Sequence, residues 1–368
     1  MPSPIRTVGI STGGGDAPGL NAVIRSATFA AVNRGWNVVG IRDGFNGIFM
    51  PERFPAGGIV PLDRRAVRGI AHLGGTIIGT TNRGAPTNFP VEQPDGTWIE
   101  VDRSAELVGM IHDAGIDALI TVGGDGSLAI GHRLAQEGLR VVGVPKTIDN
   151  DLEDTAATFG FDSAVSFATE CIDRVFSTAA SHARVMVVEV MGRYAGWIAL
   201  CAGMAASAHA ILIPEIPYDL APVVDLIRDR ERRHSLFTIV VVAEGATPKG
   251  GTVSVLGKAI GQAEKLGGVG EKIARQLEVL SGREARSLSL GHLLRGGSPT
   301  AADRLLGYRF GAAAVRALDE GQTDVMVALD PPLITCVPLS DVAGRMKRVP
   351  PESDIIQTAR DLGICFGD

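Results

Sequence analysis

Two carboxylates stand two residues apart in Pro145-Lys146-Thr147-Ile148-Asp149-Asn150-Asp151, directly after the apolar run Val141–Val144. In an extended segment, side chains at i and i+2 point to one side. Asp149 can then meet a substrate hydroxyl as a general base while Asp151 orients it from behind. A third carboxylate, Asp125, sits in Gly123-Gly124-Asp125-Gly126-Ser127 at the end of the run Ala118–Val122. Ligands of open α/β sheets lie beyond the carboxyl ends of the strands, which puts Asp125 where a hard cation could bridge it to phosphates. The other reading is a plain strand-to-helix turn with Asp125 as N-cap. A second glycine-rich stretch, Ser11-Thr12-Gly13-Gly14-Gly15-Asp16-Ala17-Pro18-Gly19-Leu20-Asn21, joins a strand-like run to a helix-like one. Consecutive glycines let backbone N–H groups approach an anion, and a helix N-terminus adds positive potential, so the stretch suits a phosphate. It is neither a Walker loop nor a GxGxxG turn, and a simple tight turn is the alternative.

These motifs need strands to carry them and helices to follow. Short β-branched runs recur at Thr7–Ser11, Val38–Ile41, Ala118–Val122, Val141–Val144, Val185–Val190 and Thr238–Ala243. They read as buried parallel strands, and amphipathic stretches at Asn21–Asn33, Ser127–Gln136 and Ser163–Thr178 read as helices between them. Such alternation predicts an α/β fold of two doubly wound domains with largely parallel sheets and an active-site cleft between them. Arg228–His234 reads as a solvated helix end, and Gly245–Val253, rich in Gly and Pro, as a mobile surface loop.

With 368 residues the chain exceeds one ordinary core, consistent with two lobes. A net charge of −6 argues against a nucleic-acid partner, which a basic face would hold through counterion release. No apolar stretch is long enough to suggest a membrane span, and the N-terminal residues lack an apolar signal core, so a cytoplasmic location is expected. Cys171, Cys201, Cys336 and Cys365 show no CxxC spacing and read as buried thiols. The 47 glycines cluster after strands, where phosphate-binding turns would lie.

Gly123–Ser127 and Pro145–Asp151 are followed by Met191-Gly192-Arg193-Tyr194-Ala195-Gly196 and Gly291-His292-Leu293-Leu294-Arg295-Gly296-Gly297-Ser298-Pro299. In this order and spacing, the chain resembles the 6-phosphofructokinase family from about Thr7 to Gly344. The resemblance implies phosphoryl transfer from Mg²⁺-ATP, or alternatively pyrophosphate, to the 1-hydroxyl of fructose 6-phosphate. It implies a donor domain of residues 1–160 plus 294–344 and a sugar domain of 161–293 plus 345–368. It also implies a homotetramer or homodimer with shared sugar-phosphate sites. Position by position, Asp149 matches the catalytic base, Thr147 and Asp151 its neighbours at the sugar, and Arg193 the contact to the transferring phosphate. Met191, Gly192, Glu244 and Arg295 match sugar contacts. Arg184 and Arg286 match arginines reaching the 6-phosphate from a neighbouring subunit, with His292 beside them. On the donor side stand Gly14, Gly15, Arg83, Gly124, Asp125, Gly126, Ser127 and Lys146, with Asp125 as the metal ligand.

Donor choice turns on two positions. Pyrophosphate users in the family carry Asp where this chain has Gly126, and Lys where it has Lys146, whereas many ATP users carry Gly at both. An Asp at 126 would crowd and repel a nucleotide α-phosphate, so Gly126 favours ATP. The mixed pair resembles the long-chain actinobacterial type. A donor-contacting Arg of many relatives is replaced by Asn82, leaving Arg83 one residue later, and Phe45 stands where an aromatic lies near the nucleotide or simply fills a core. Arg25 lies near effector positions of some relatives, a surface helix arginine being the other reading. A catalytically silent sensor that keeps the fold is the remaining alternative, against which intact Asp149, Asp125 and Arg193 speak.

Overall fold

The computed structural model describes residues 4–257 and 265–368. In chain order the first lobe contains β1 (Thr7–Thr12), α1 (Leu20–Val32), β2 (Asn37–Ile41), α2 (Asn46–Phe49), β3 (Ile59–Pro61), β4 (Phe89–Glu92), β5 (Trp98–Val101), α3 (Ser104–Asp113), β6 (Ala118–Gly123), α4 (Asp125–Gln136) and β7 (Arg140–Pro145). The chain then crosses to α5 (Phe161–His182), β8 (Val185–Val190), α6 (Trp197–Ala205), β9 (Ala210–Leu212), α7 (Leu220–Arg232), β10 (Thr238–Ala243), β11 (Val255–Gly257), β12 (Lys265–Leu266), α8 (Val269–Ser281) and β13 (Ala285–Ser289). It returns through α9 (Ala301–Asp319) to β14 (Val325–Asp330), β15 (Leu333–Pro338) and α10 (Leu339–Val342), and ends on α11 (Asp354–Asp361).

Two sheets organise these elements. The first has strand order β15-β14-β7-β6-β1-β2-β3, parallel at its centre, with β3 and β15 antiparallel at the edges; the second, β13-β8-β10-β9, is wholly parallel. Every residue of β6 and β10 is buried, because helices cover both faces of a parallel sheet and leave no polar side for alternation. α1 and α9 pack almost backbone to backbone. A Cβ on Gly311 would lie 2.6 Å from the Val23 carbonyl oxygen, so this approach requires glycine.

The chain leaves β1 through α1 towards β2 on one side and leaves β6 through α4 towards β7 on the other. Between β1 and β6 the strand order therefore reverses, opening a crevice at their carboxyl ends. One apolar cluster joins the lobes: Ala17 and Ile148 from the first pack with Ile198 and Leu290 from the second.

Several expectations need correcting. The β14–β15 hairpin had no counterpart among the predicted strands. Gly245–Val253 is tied down, since the Tyr218 N–H donates to the Thr247 carbonyl at 3.0 Å and the Lys249 N–H to the Tyr218 carbonyl at 2.8 Å. The four free cysteines are half-buried rather than fully buried. Arg228–His234 does close a helix with exposed ion pairs, but Arg230 turns inward and donates to the Phe237 carbonyl at 3.2 Å.

Candidate active site

Three turns meet in the crevice of the first sheet. After β1, the Gly13 N–H donates to the Val122 carbonyl at 3.0 Å and the Gly14 N–H to the Thr81 carbonyl at 2.9 Å. Gly14 has φ 75, the left-handed region that glycine enters without steric cost. Ser127 locks the first turn against the second: a Cβ on Gly13 would lie 2.5 Å from its Oγ, and one on Gly123 would lie 2.2 Å from its Cβ. Gly124 is the N-cap of α4 and Asp125 its first residue, so Asp125 is not the cap. One Asp125 carboxylate oxygen accepts the Gly344 N–H at 2.7 Å. Around Gly126 nothing lies within 4 Å of a Cβ, so the structure keeps open space there.

The third turn follows β7. Lys146 is buried, and its ammonium donates to the Gly15 carbonyl of the first turn. Burial, then the neighbouring Arg295, push it down to about 8. Asp149 is only 4% exposed, and its Oδ1 is a buried oxygen with no hydrogen-bond partner. Burial and the Asp151 charge raise this carboxyl to about 7, against the pull of Arg295 and Arg193. Asp151 is also raised, chiefly by burial, while the Thr147 hydroxyl holds it down. The two carboxylates do not come together along an extended strand, because the chain bends at Ile148–Asp149 and Asn150 takes φ 50. Thr147 supports the bend through its Oγ1, which accepts the Asp149 N–H at 3.0 Å.

Further groups come from the carboxyl ends of β8, β10 and β13 in the second sheet. Arg193, at φ 44, donates its backbone N–H to a Glu244 carboxylate oxygen at 3.2 Å. Burial raises the Glu244 carboxyl, opposed by this hydrogen bond. Gly192 has φ 150 and a Cβ there would meet the Ala195 carbonyl oxygen at 2.5 Å, so the turn carrying Arg193 excludes a side chain. Met191 packs against the interlobe core. Arg295, on the short 3-10 helix that follows β13, reaches back to the first turn, its Nη1 donating to the Asp16 carbonyl at 3.1 Å.

Lys146, Arg193 and Arg295 thus surround a buried carboxylate that has a free acceptor. Such a pocket can take a proton from a hydroxyl and stabilise developing negative charge. For a divalent cation, Asp125 is the available carboxylate, with one oxygen left after its bond to Gly344. Among the described residues no group of three or more His, Cys, Asp or Glu could enclose a metal. The donor set therefore fits an ion that takes most of its ligands from phosphates and water, as Mg²⁺ does.

Other expected residues lie elsewhere. Arg184 and Arg286 sit at the amino end of the second sheet, away from their own chain's cleft, where Arg184 pairs with Glu284 at 2.6 Å and Arg286 with the same residue at 2.5 Å. His292 is exposed on the short 3-10 helix Gly291–Arg295. Arg83 is exposed beside the first turn, its N–H bonded to Thr81 Oγ1 at 3.1 Å. Phe45 is a core residue, and Arg25 lies half-buried over Phe29, 4.5 Å from the ring centre. The sequence reading missed Glu215 and Lys347. Glu215 accepts the Gly196 N–H at 3.0 Å and steadies the end of the Arg193 turn; Lys347 meets the Asp149 loop. Neither lies in a motif, and sequence separation hid both contacts.

Residues 7–318 match the family described as Phosphofructokinase. An ATP-dependent 6-phosphofructokinase of Chloroflexus aurantiacus is 47% identical over 368 residues, covering all of this chain and 99% of its own. The pyrophosphate–fructose 6-phosphate 1-phosphotransferase of Streptomyces coelicolor is 46% identical over 364 residues, covering 98% of this chain and 99% of its own. The solved phosphofructokinase of Saccharomyces cerevisiae superposes with a TM-score of 0.76 at 28% identity, over 91% of this chain and 45% of that chain. With two such lobes, a buried carboxylate ringed by cations at their junction, and this match over nearly its whole length, the chain belongs to the phosphofructokinase family.

Proposed function

We propose that the chain transfers the terminal phosphoryl group of Mg²⁺-bound ATP to the 1-hydroxyl of fructose 6-phosphate, giving fructose 1,6-bisphosphate. The observation that carries this reading is Asp149, a buried carboxylate with an unpartnered oxygen, between a glycine-lined anion crevice and the Arg193 turn. Gly14, Gly15 and Gly124–Ser127 hold the donor phosphates, with Lys146 as a point charge behind them. Asp125 would hold Mg²⁺, which supplies charge neutralisation on the phosphates. Asp149 accepts the hydroxyl proton, Thr147 and Asp151 keep it oriented, and Arg193 and Arg295 stabilise the charge that spreads over the phosphoryl oxygens. Met191, Gly192 and Glu244 line the sugar.

The donor domain we assign to residues 1–160 plus 294–344 and the sugar domain to 161–293 plus 345–368. In a homotetramer or homodimer, Arg184 and Arg286, turned away from their own cleft, would reach the 6-phosphate of the adjacent subunit, with His292 nearby. Planar guanidinium groups suit that contact because they pair two phosphate oxygens at once. A cytoplasmic location accords with four free thiols. Among the described residues no helix is long and apolar enough to cross a membrane.

Open space at Gly126 favours ATP, whereas Lys146 and the relative from Streptomyces coelicolor keep pyrophosphate as the second reading. A coupled assay on the purified protein, with ATP and then with pyrophosphate, tests both. Turnover with ATP well above that with pyrophosphate is expected; the reverse overturns the donor assignment, and turnover with neither overturns the reading as an enzyme.

A further inference from the structure

Between α10 of the first lobe and α11 of the second runs a short strap, residues 344–350. Along it, the Gly344 N–H donates to the Asp125 carboxylate at 2.7 Å and the Lys347 N–H to the Asp151 carbonyl at 2.9 Å. The Lys347 carbonyl accepts the Trp197 indole N–H at 3.0 Å, and the Val349 N–H donates to Glu215 at 2.9 Å. Glu215 also receives the Gly196 N–H from the end of the Arg193 turn at 3.0 Å. The strap therefore touches the donor turn, the loop of the base and the turn of the phosphate-facing arginine in succession.

The Lys347 ammonium fastens the middle of this path. It donates to the Thr155 carbonyl at 2.8 Å, the Asn150 Oδ1 at 3.3 Å and the Ala156 carbonyl at 3.4 Å. Asn150 lies between the two site carboxylates with φ 50, a conformation that L residues adopt at some cost and that contacts must therefore hold. Its side-chain oxygen is held from two sides, by Lys347 and by the Thr158 N–H at 3.2 Å. A cation in this place costs desolvation: burial pushes Lys347 down to about 8, against the favourable charges of Glu153 and Asp151.

We propose that Lys347 is a positioning residue which, by gripping Asn150 and the carbonyls of residues 155 and 156, fixes the bend that aims Asp149 at its substrate and registers that bend against both lobes. This rests on the functional reading of Asp149 given above. Lys347 touches no reacting atom, so its loss should lower turnover without lowering substrate affinity. A misplacement of about 1 Å can cost on the order of 100-fold in rate.

The test uses the full chain with Lys347→Met, Asn150→Ala and the double variant. Turnover should fall about 10- to 100-fold in each single variant, while the half-saturating concentrations of both substrates stay within about 3-fold. The double variant should fall short of the sum of the two single losses, because both break the shared contact between Lys347 and Asn150. Hydrogen exchange of the amides from 149 to 158 should quicken by about 10-fold or more in Lys347→Met. That measurement needs no turnover, so it judges the clamp even where the wild type proves inactive with both donors and the functional reading itself fails. Unchanged turnover and exchange, additive losses, or a collapse of substrate affinity equal to the loss of turnover would each overturn the proposal. If Lys347→Met does not fold, Asn150→Ala alone carries the same expectations.

Discussion

Replacing Asp149 by Asn should destroy turnover and stabilise the protein, with a stability gain that depends on pH. Asp149 is 4% exposed, and burial with the Asp151 charge lifts its carboxyl from 3.8 to about 7. Each pKa unit between folded and unfolded chains corresponds to about 1.4 kcal/mol, so ionising this carboxyl costs the fold up to roughly 4 kcal/mol. Between about pH 4 and pH 7 the folded chain keeps a proton that the unfolded chain has released, so this group's contribution to stability falls as pH rises and levels off above about 7. Asn cannot ionise and lacks that decline. Urea unfolding of wild type and Asp149→Asn, followed by tryptophan fluorescence at about pH 5 and about pH 8, measures the effect. The variant's advantage should grow by about 2–4 kcal/mol between the two, while its turnover lies about 10²- to 10⁴-fold below wild type. In the wild type, kcat/KM should rise with pH through about 7 as the base ionises. An advantage constant to within about 0.5 kcal/mol across that range, or more than half of wild-type turnover in the variant, would refute the account of a buried base held at the cost of stability.

Arg184→Ala and Arg286→Ala should raise the half-saturating fructose 6-phosphate concentration by about 10-fold or more, since each removes a charge-assisted contact to a non-reacting group. Verified mixed oligomers of Arg184→Ala and Asp149→Asn subunits should regain activity; no recovery refutes shared sites. Gly126→Asp has room in the fold and should weaken ATP use sharply, raising the ratio of pyrophosphate to ATP activity, whereas Lys146→Gly should disturb ATP use less. Intact ATP turnover in Gly126→Asp would refute the donor pocket. Asp303→Ala removes the carboxylate that receives the Ser163 N–H at 2.8 Å and hydroxyl at 2.6 Å, joining α9 to α5. It should cost about 2–4 kcal/mol by urea unfolding, and a loss below about 0.5 kcal/mol would refute that assignment.

Much of the molecule was legible in its residues because the signals are local. β8 and β10 match the predicted runs Val185–Val190 and Thr238–Ala243, since parallel strands buried on both faces are largely apolar, buried Glu189 being the exception in β8. The glycine turns were equally legible, because positive φ and close backbone approach select glycine before any tertiary contact forms. Asp149 and Asp151 could be picked out by type and spacing, but not the bend at Asn150 that brings them together, because that conformation is held from Thr158 and Lys347. The unpartnered oxygen of Asp149, the Lys146 bond to Gly15 and the reach of Arg295 to Asp16 likewise exist only after the sheets close, because each joins segments with no sequence relation. The sequence determined which groups are present and which turns can carry them. Tertiary structure alone decided which of them share a desolvated space, and burial there is what turns an ordinary carboxylate into one that holds its proton to about 7.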